Sequence, residues 1–260
     1  MKDMKVVLCM IDKRAMILIA FVLGVLLSSL ALIPVVAKPE NPGPQDIQQR
    51  IFIHLAGKGK PPSGERGYYK LLGANWKNFP VQIEVNLDLS NLGRQFALQA
   101  IHVAAEEWDD GFYSQSEGIA WYGVSPSLFA DDITTTTKGY NDLAWTSGKR
   151  DGCNTIVWGD YPQQGVIAVT IIWYNTKTKD ISEFDVVFDT DYAWGDAAKN
   201  PSVMDLQNIA THELGHGVGL DDLYQSPAYR ETMYGYSDYG DIMGRDLYIG
   251  DKEGILHLYP

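Results

Sequence analysis

Residues 211–222 read THELGHGVGLDD. His212 and His216 sit four positions apart, which on a helix puts both side chains on one face, about 6 Å apart along the axis. Two imidazoles held this way can share one tetrahedral ion. Glu213 is then placed to reach a water at that ion rather than the ion itself. Gly217 or Gly219 can take the left-handed conformation, end the helix and fold the chain back, bringing an aspartate up as third ligand and leaving the fourth position to water. Spacing alone does not choose between Asp221 and Asp222. An isolated His-Glu-x-x-His arises in a chain of this size well under ~1% of the time, and the glycine and acid that follow make coincidence rarer still.

Outward from the motif, Ser202 followed by Asp205 resembles an N-terminal cap and opens a helix through VMDLQNIATHELGHG, with Met204, Ile209 and Leu214 available to a core. Before it lies a hairpin, Val166–Tyr174 and Ile181–Phe188, joined by NTKTKD. RQFALQAIHVAAEEWDDG repeats apolar residues at three and four (Phe96, Ala97, Ala100, Ile101, Ala104, Trp108) and reads as an amphipathic helix. PVQIEVNLDLS alternates Val81, Ile83, Val85 and Leu87 as a half-buried strand does. The stretch 118–160 reads as strands and loops, and a last helix is expected over Asp251–Tyr259.

Composition agrees with one sizeable domain: 260 residues, 45% apolar and 21% charged. The net charge is −12, and because residues 1–37 carry +2, residues 38–260 hold −14. So acidic a body lacks the basic footprint that phosphate backbones require, and nucleic acid is excluded as a partner. Lys13 and Arg14 precede an apolar run, Ala15–Ile33, with Val35 and Ala37 placed as small residues before a cleavage point. Residues 1–37 therefore read as an export signal, or as an N-terminal anchor if the run stays uncleaved. Residues 38–70, rich in Pro, Gly and Lys with one apolar piece at Ile51–Leu55, read as a linker or short pro-segment. Residues 71–260 remain for the main domain. Of two cysteines, Cys9 lies ahead of the apolar run and Cys153 is expected as a tolerated thiol.

HELGHGVGLDD resembles the metzincin zinc motif HExxHxxGxxH with aspartate in the last place, and counting from His212 that place is Asp222. ETMYGYS resembles the Met-turn of that clan, with Met233 beneath the metal and Tyr234 where matrixins also carry a tyrosine. FDVVFDTDYAWGD and GDKEGILHLYP resemble the segments that lead into the matrixin active-site helix and close the domain. The likeness is closest to small matrixin-like metalloproteases of prokaryotes. It implies an α+β fold, a twisted mixed sheet packed on the active-site helix, with a small C-terminal subdomain holding the Met-turn and final helix. It also implies a zinc-dependent endopeptidase, secreted or membrane-anchored, in which a zinc-bound water attacks the peptide bond with Glu213 as general base.

The metal ligands implied are His212, His216 and Asp222, for one catalytic zinc. Tyr234 and Tyr236 are candidates for the transition state or the pocket. The strand Gly165, Val166, Ile167, Ala168, Val169 and Thr170 is expected at the sheet edge, free to take an extended substrate as an added strand. Trp158, Val169 and Val187 stand where animal matrixins place structural-zinc histidines, so no second zinc is expected. Asp189 matches a calcium ligand of the family, but Tyr192 replaces a partnering glutamate, leaving calcium an open question. No cysteine lies between residues 38 and 80 to act as a thiolate latch. The expected partner is a protein or peptide substrate, the expected state a monomer outside the cell or at its surface, touching membrane only through an uncleaved N-terminus. A non-catalytic zinc-binding interaction module of the same fold is the rival reading.

Overall fold

The computed structural model describes residues 46–57, 68–109 and 127–260, together with two short strands between 110 and 126. The expected signal or anchor, residues 1–37, lies outside the described residues. In chain order the elements are β1 (Ile47–Ala56), β2 (Ile83–Val85), α1 (Arg94–Asp109), β3 (Tyr113–Ser114), β4 (Ile119–Ala120), β5 (Thr134–Thr135), α2 (Ala144–Ser147) and β6 (Asn154–Gly159). They continue with β7 (Val166–Asn175), β8 (Ile181–Asp189), β9 (Trp194–Gly195), β10 (Met204–Asp205), α3 (Leu206–Gly217), β11 (Tyr236–Ser237) and α4 (Ile249–Leu258). Seven strands form one mixed sheet in the order β11-β1-β7-β8-β6-β2-β5. The α+β architecture is compatible with a matrixin-like domain.

β7, VIAVTIIWYN, buries nine of its ten residues. Such a continuous apolar run suits a strand covered on both faces. Ile167, Ala168 and Ile172 join the main core under the helices, while Val169, Ile171 and Trp173 pack with Ala144, Trp145 and Tyr161 on the other face. α1 brings a stripe of small residues, Ala97, Ala100, Ala104 and Ala105, to the interior, and small side chains let it lie close on α3. It ends in Trp108, whose ring is fully buried and whose indole N–H donates to the Thr211 carbonyl at 2.9 Å.

α3 starts later than the pattern at Ser202 suggests, because Met204 and Asp205 pair with Trp194 and Gly195 as β10 against β9. Asp205 is the cap, accepting from the Asn208 N–H at 2.9 Å. It also receives the Ala197 N–H and the Arg245 guanidinium, each at 2.8 Å. At the other end Gly219 has φ +107° and faces the Ala74 carbonyl. Its own carbonyl accepts from Leu72 N–H at 2.8 Å, and Lys70 O takes the Asp221 N–H at 2.8 Å, so residues 70–72 hold the turn that carries the chain back.

One expectation is corrected here, the edge position of β7. Within the stretch 38–70, expected as a linker or short pro-segment, residues 47–56 form a ten-residue strand that falls in one unit with the main body, Asp46–Pro260. As a result β7 is no edge: Gly165, Val166, Ile167, Ala168, Val169 and Thr170 run beside β1, with β8 on the opposite flank. The apolar alternation in IFIHL supplies a strand whose pairing partner lies more than a hundred residues on, which local composition does not register.

Gly219→Ala forces a side chain into the left-handed region and against the Ala74 carbonyl. The variant is expected to lose at least about 1–3 kcal/mol of stability, read as a lower urea midpoint at unchanged slope.

Candidate metal centre

α3 presents His212 and His216 side by side, their ring centroids 4.7 Å apart. Each imidazole is oriented by its far nitrogen: His212 Nδ1 lies 2.7 Å from the Thr232 carbonyl and His216 Nδ1 3.0 Å from the Leu220 carbonyl. With the proton on Nδ1 in each ring, the Nε2 lone pairs are left free. Asp222 Oδ1 stands 3.3 Å from His212 Nε2 and 3.4 Å from His216 Nε2. These two Nε2 atoms and Oδ1 are buried and have no hydrogen-bond partner. Ligands on a tetrahedral zinc at about 2.0–2.1 Å stand roughly 3.3–3.4 Å from one another. The three orphaned atoms thus fit one zinc by separation, by donor type and by the want of any other partner.

Asp221 faces elsewhere. Its carboxylate meets Lys70 Nζ at 2.8 Å and Arg50 at 3.6 Å, and its Oδ1 accepts the Asp222 N–H at 2.9 Å. The turn therefore resolves the ambiguity that spacing leaves between the two aspartates. Burial, the largest single influence on Asp222, pushes its carboxyl up, but the two imidazoles more than reverse this and hold it far below the usual carboxylate range. Burial likewise drives His212 down, and the Asp222 carboxylate overcomes it to leave a net rise. Such mutual stabilisation of charge is what a cation between these groups would replace.

Glu213 is fully buried. Its Oε2 accepts from Thr170 Oγ1 at 2.5 Å, while Oε1 has no hydrogen-bond partner and lies 3.5 Å from His54 Nδ1. Burial raises this carboxyl, and His54 and the two motif histidines outweigh it, leaving a net fall, so Glu213 is anionic at neutral pH. One oxygen is anchored and the other is free to accept a proton.

Three residues at the centre went unread in the sequence. Thr170 was expected to offer only its backbone, yet its hydroxyl holds the carboxylate. Tyr224 donates its hydroxyl to Asp222 Oδ2 at 2.9 Å, so each oxygen of that carboxylate has a separate duty. His54 reaches His212 with ring centroids 4.0 Å apart, and burial, then the nearby His212, lower it to about 4. A sequence signal for His54 did exist, since Phe52 and His54 share a face in the alternation of IFIHL.

Met233 is buried with its sulfur against Gly215 of α3. Its backbone and that of Thr232 are fixed from α4: Asp251 accepts the Thr232 N–H at 2.6 Å and the Met233 N–H at 3.1 Å. Tyr234 and Tyr236 line a pocket beside His212 and His54, and Tyr236 packs against the Tyr224 ring at 5.4 Å. Asp189 accepts from the Asp191 and Tyr161 N–H groups at 2.8 and 3.3 Å, and a carboxylate oxygen of it lies within 4.8 Å of those of Asp160 and Asp191. Tyr192 instead packs its ring against Tyr239.

The buried donors of His212, His216 and Asp222 could hold a metal ion, with the Glu213 carboxylate beside them. Residues 163–260 match the family model of the matrixins, which are peptidases. The match supports a matrixin-like kinship for this part of the chain and indicates a metalloprotease, a zinc-dependent hydrolase with peptide or protein substrates, in general terms. No curated protein matches the chain.

The geometry separates the two aspartates experimentally. Asp222→Ala is expected to lower zinc affinity about 10–100-fold or more, judged against what even outer-shell losses cost, whereas Asp221→Ala retains stoichiometric zinc; metal analysis after dialysis reads both.

Proposed function

We propose that the chain is a zinc endopeptidase, exported by its N-terminal segment and acting as a monomer on proteins or peptides outside the cell or at its surface. His212, His216 and Asp222 hold the metal, Met233 forms the floor beneath it in a Met-turn, and Glu213 is the general base. The observation that carries this reading is the set of three orphaned ligand atoms at tetrahedral separation with an anionic carboxylate next to them.

Bound zinc lowers the pKa of water toward about 7 and polarises a carbonyl oxygen. The chain's own residues do the rest. Thr170 fixes one oxygen of Glu213, so the other has a defined place from which to take a proton and later give it to the leaving amine. Tyr224 keeps the second oxygen of Asp222 occupied, which favours single-oxygen ligation and a compact site. Tyr234 and Tyr236, at the pocket wall, are positioned to shape the side-chain preference of the substrate. The rival reading, a non-catalytic zinc module, gives no reason to bury an anionic glutamate with one oxygen unpaired, an arrangement that costs stability.

Glu213→Gln keeps all three ligands and removes the base. It is expected to bind zinc as the parent does while casein cleavage falls about 10²–10⁴-fold, the usual contribution of a positioned base. Equal cleavage by the zinc-loaded variant refutes the mechanism.

A further inference from the structure

The pocket beside His212 has one aromatic wall and one polar wall. Tyr229, Tyr234 and Tyr236 line it, with the rings of Tyr234 and Tyr236 5.7 Å apart. The polar wall starts on α3, where Asn208 precedes His212 by one turn and so shares its face. The Asn208 amide donates to Ser237 Oγ of β11 at 3.2 Å, and that hydroxyl donates to Asp241 Oδ2 at 3.4 Å. Asn208 is buried and Asp241 half-buried, so this row runs from the metal centre toward solvent and ends on a carboxylate.

Asp241 differs from the other charged groups around it. Glu231 also lines the pocket, but its oxygens take the N–H groups of Tyr68, Gly250 and Asp251. Arg245, the basic residue of the same loop, turns away to Asp205 and Asp196. Asp241 receives the Met243 N–H on Oδ1 at 3.0 Å and, on Oδ2, only the long contact from Ser237. No lysine or arginine lines the pocket, and among the described residues none forms an ion pair with Asp241. A carboxylate so placed has acceptor capacity for a charged donor brought in from outside.

We propose that this pocket selects a substrate with lysine or arginine next to the scissile bond, and that Asp241 sets the preference. This rests on the zinc endopeptidase reading. The two walls suit the two parts of such a side chain: its methylenes pack along the tyrosine rings, and its cationic end reaches the carboxylate. A leucine fills the aromatic part and leaves Asp241 without a partner, while a glutamate is repelled by it. The charge of the whole body acts in the same direction, since −14 over residues 38–260 draws cationic peptides toward the site.

The test uses the zinc-loaded full chain as wild type, Asp241→Asn and Asp241→Lys, with circular dichroism and metal analysis to verify fold and zinc. Asparagine keeps an oxygen for the Met243 N–H and removes the charge. Peptides that differ at one residue, Arg, Lys, Leu or Glu, are cleaved and the cut bond is located by mass spectrometry. In the wild type kcat/KM is expected to favour Arg and Lys over Leu by about 10–100-fold, the strength of a charge-assisted contact. Asp241→Asn should bring that ratio close to one, and Asp241→Lys should turn the preference to Glu. A second measurement needs no hydrolysis: arginine hydroxamate and leucine hydroxamate, which both chelate zinc, are titrated calorimetrically, and the same ratio and the same loss in Asp241→Asn are expected. A wild-type ratio near one in either measurement overturns the proposal, as does a ratio that persists in folded, zinc-loaded Asp241→Asn. Selective hydroxamate binding that depends on Asp241, without cleavage of any peptide, supports the pocket and refutes the peptidase reading instead.

Discussion

Two backbone carbonyls, of Thr232 and Leu220, decide what the histidine pair can do. By engaging Nδ1 of His212 and His216 they settle the tautomer of each ring and turn both Nε2 atoms toward Asp222. Neither carbonyl belongs to α3. One comes from the turn after Glu231 and the other from the reversal after Gly219, so the site forms only where helix, reversal and turn meet. The same constraint joins the reversal to the turn directly: Leu223 N–H donates to Met233 O and Gly235 N–H to Leu223 O, each at 2.9 Å. A small displacement of either loop would rotate an imidazole and spread the ligand set.

The core is arranged to keep α3 still. Gly215 lies between the two histidines in sequence, and the space beside it is taken by the Trp108 ring and the Met233 sulfur. An added methyl there would collide with both. Trp108 also caps the Thr211 carbonyl from α1, while Arg245 draws Asp205 and Asp196 together at the helix start, with 2.6 Å to Asp196. The helix is thereby fixed at its first residue, its middle and its last turn. Pre-organisation of this kind keeps the His212 and His216 rings near the separation that a shared ion would require.

Much of this was legible in the sequence because it repeats locally. α1, the β7–β8 hairpin, α3 and α4 each announce themselves through apolar periodicity, and their bounds differ from the reading by a few residues at most. The start of α3 was misplaced because Met204 and Asp205 are drawn into a two-residue ladder with β9, a tertiary demand that outweighs the pattern at Ser202. The ligand candidates were legible for a related reason: His212, His216 and Asp222 lie within one helix and one reversal. What escaped notice depends on pairing across long separations. His54 stands in a short apolar run between stretches rich in Pro, Gly and Lys, and nothing nearby in sequence shows that Thr170, Glu213 and His212 are its neighbours. The open edge assigned to β7 failed for the same cause, since a strand pattern fixes which residues alternate and leaves the identity of the flanking strand to topology.

Asp251 gives the order of events a particular shape. Its carboxylate holds the Thr232 and Met233 amides, and the Glu231 side chain in turn receives the Gly250 and Asp251 amides at 2.8 and 3.3 Å. Thr232 supplies the carbonyl that orients His212, so the setting of that imidazole depends on a carboxylate carried by α4. A growing polypeptide carries β1 out of the ribosome long before α4. The Phe52 and His54 rings, which pack on His216 and His212, are therefore made well before the carboxylate that fixes the turn orienting His212.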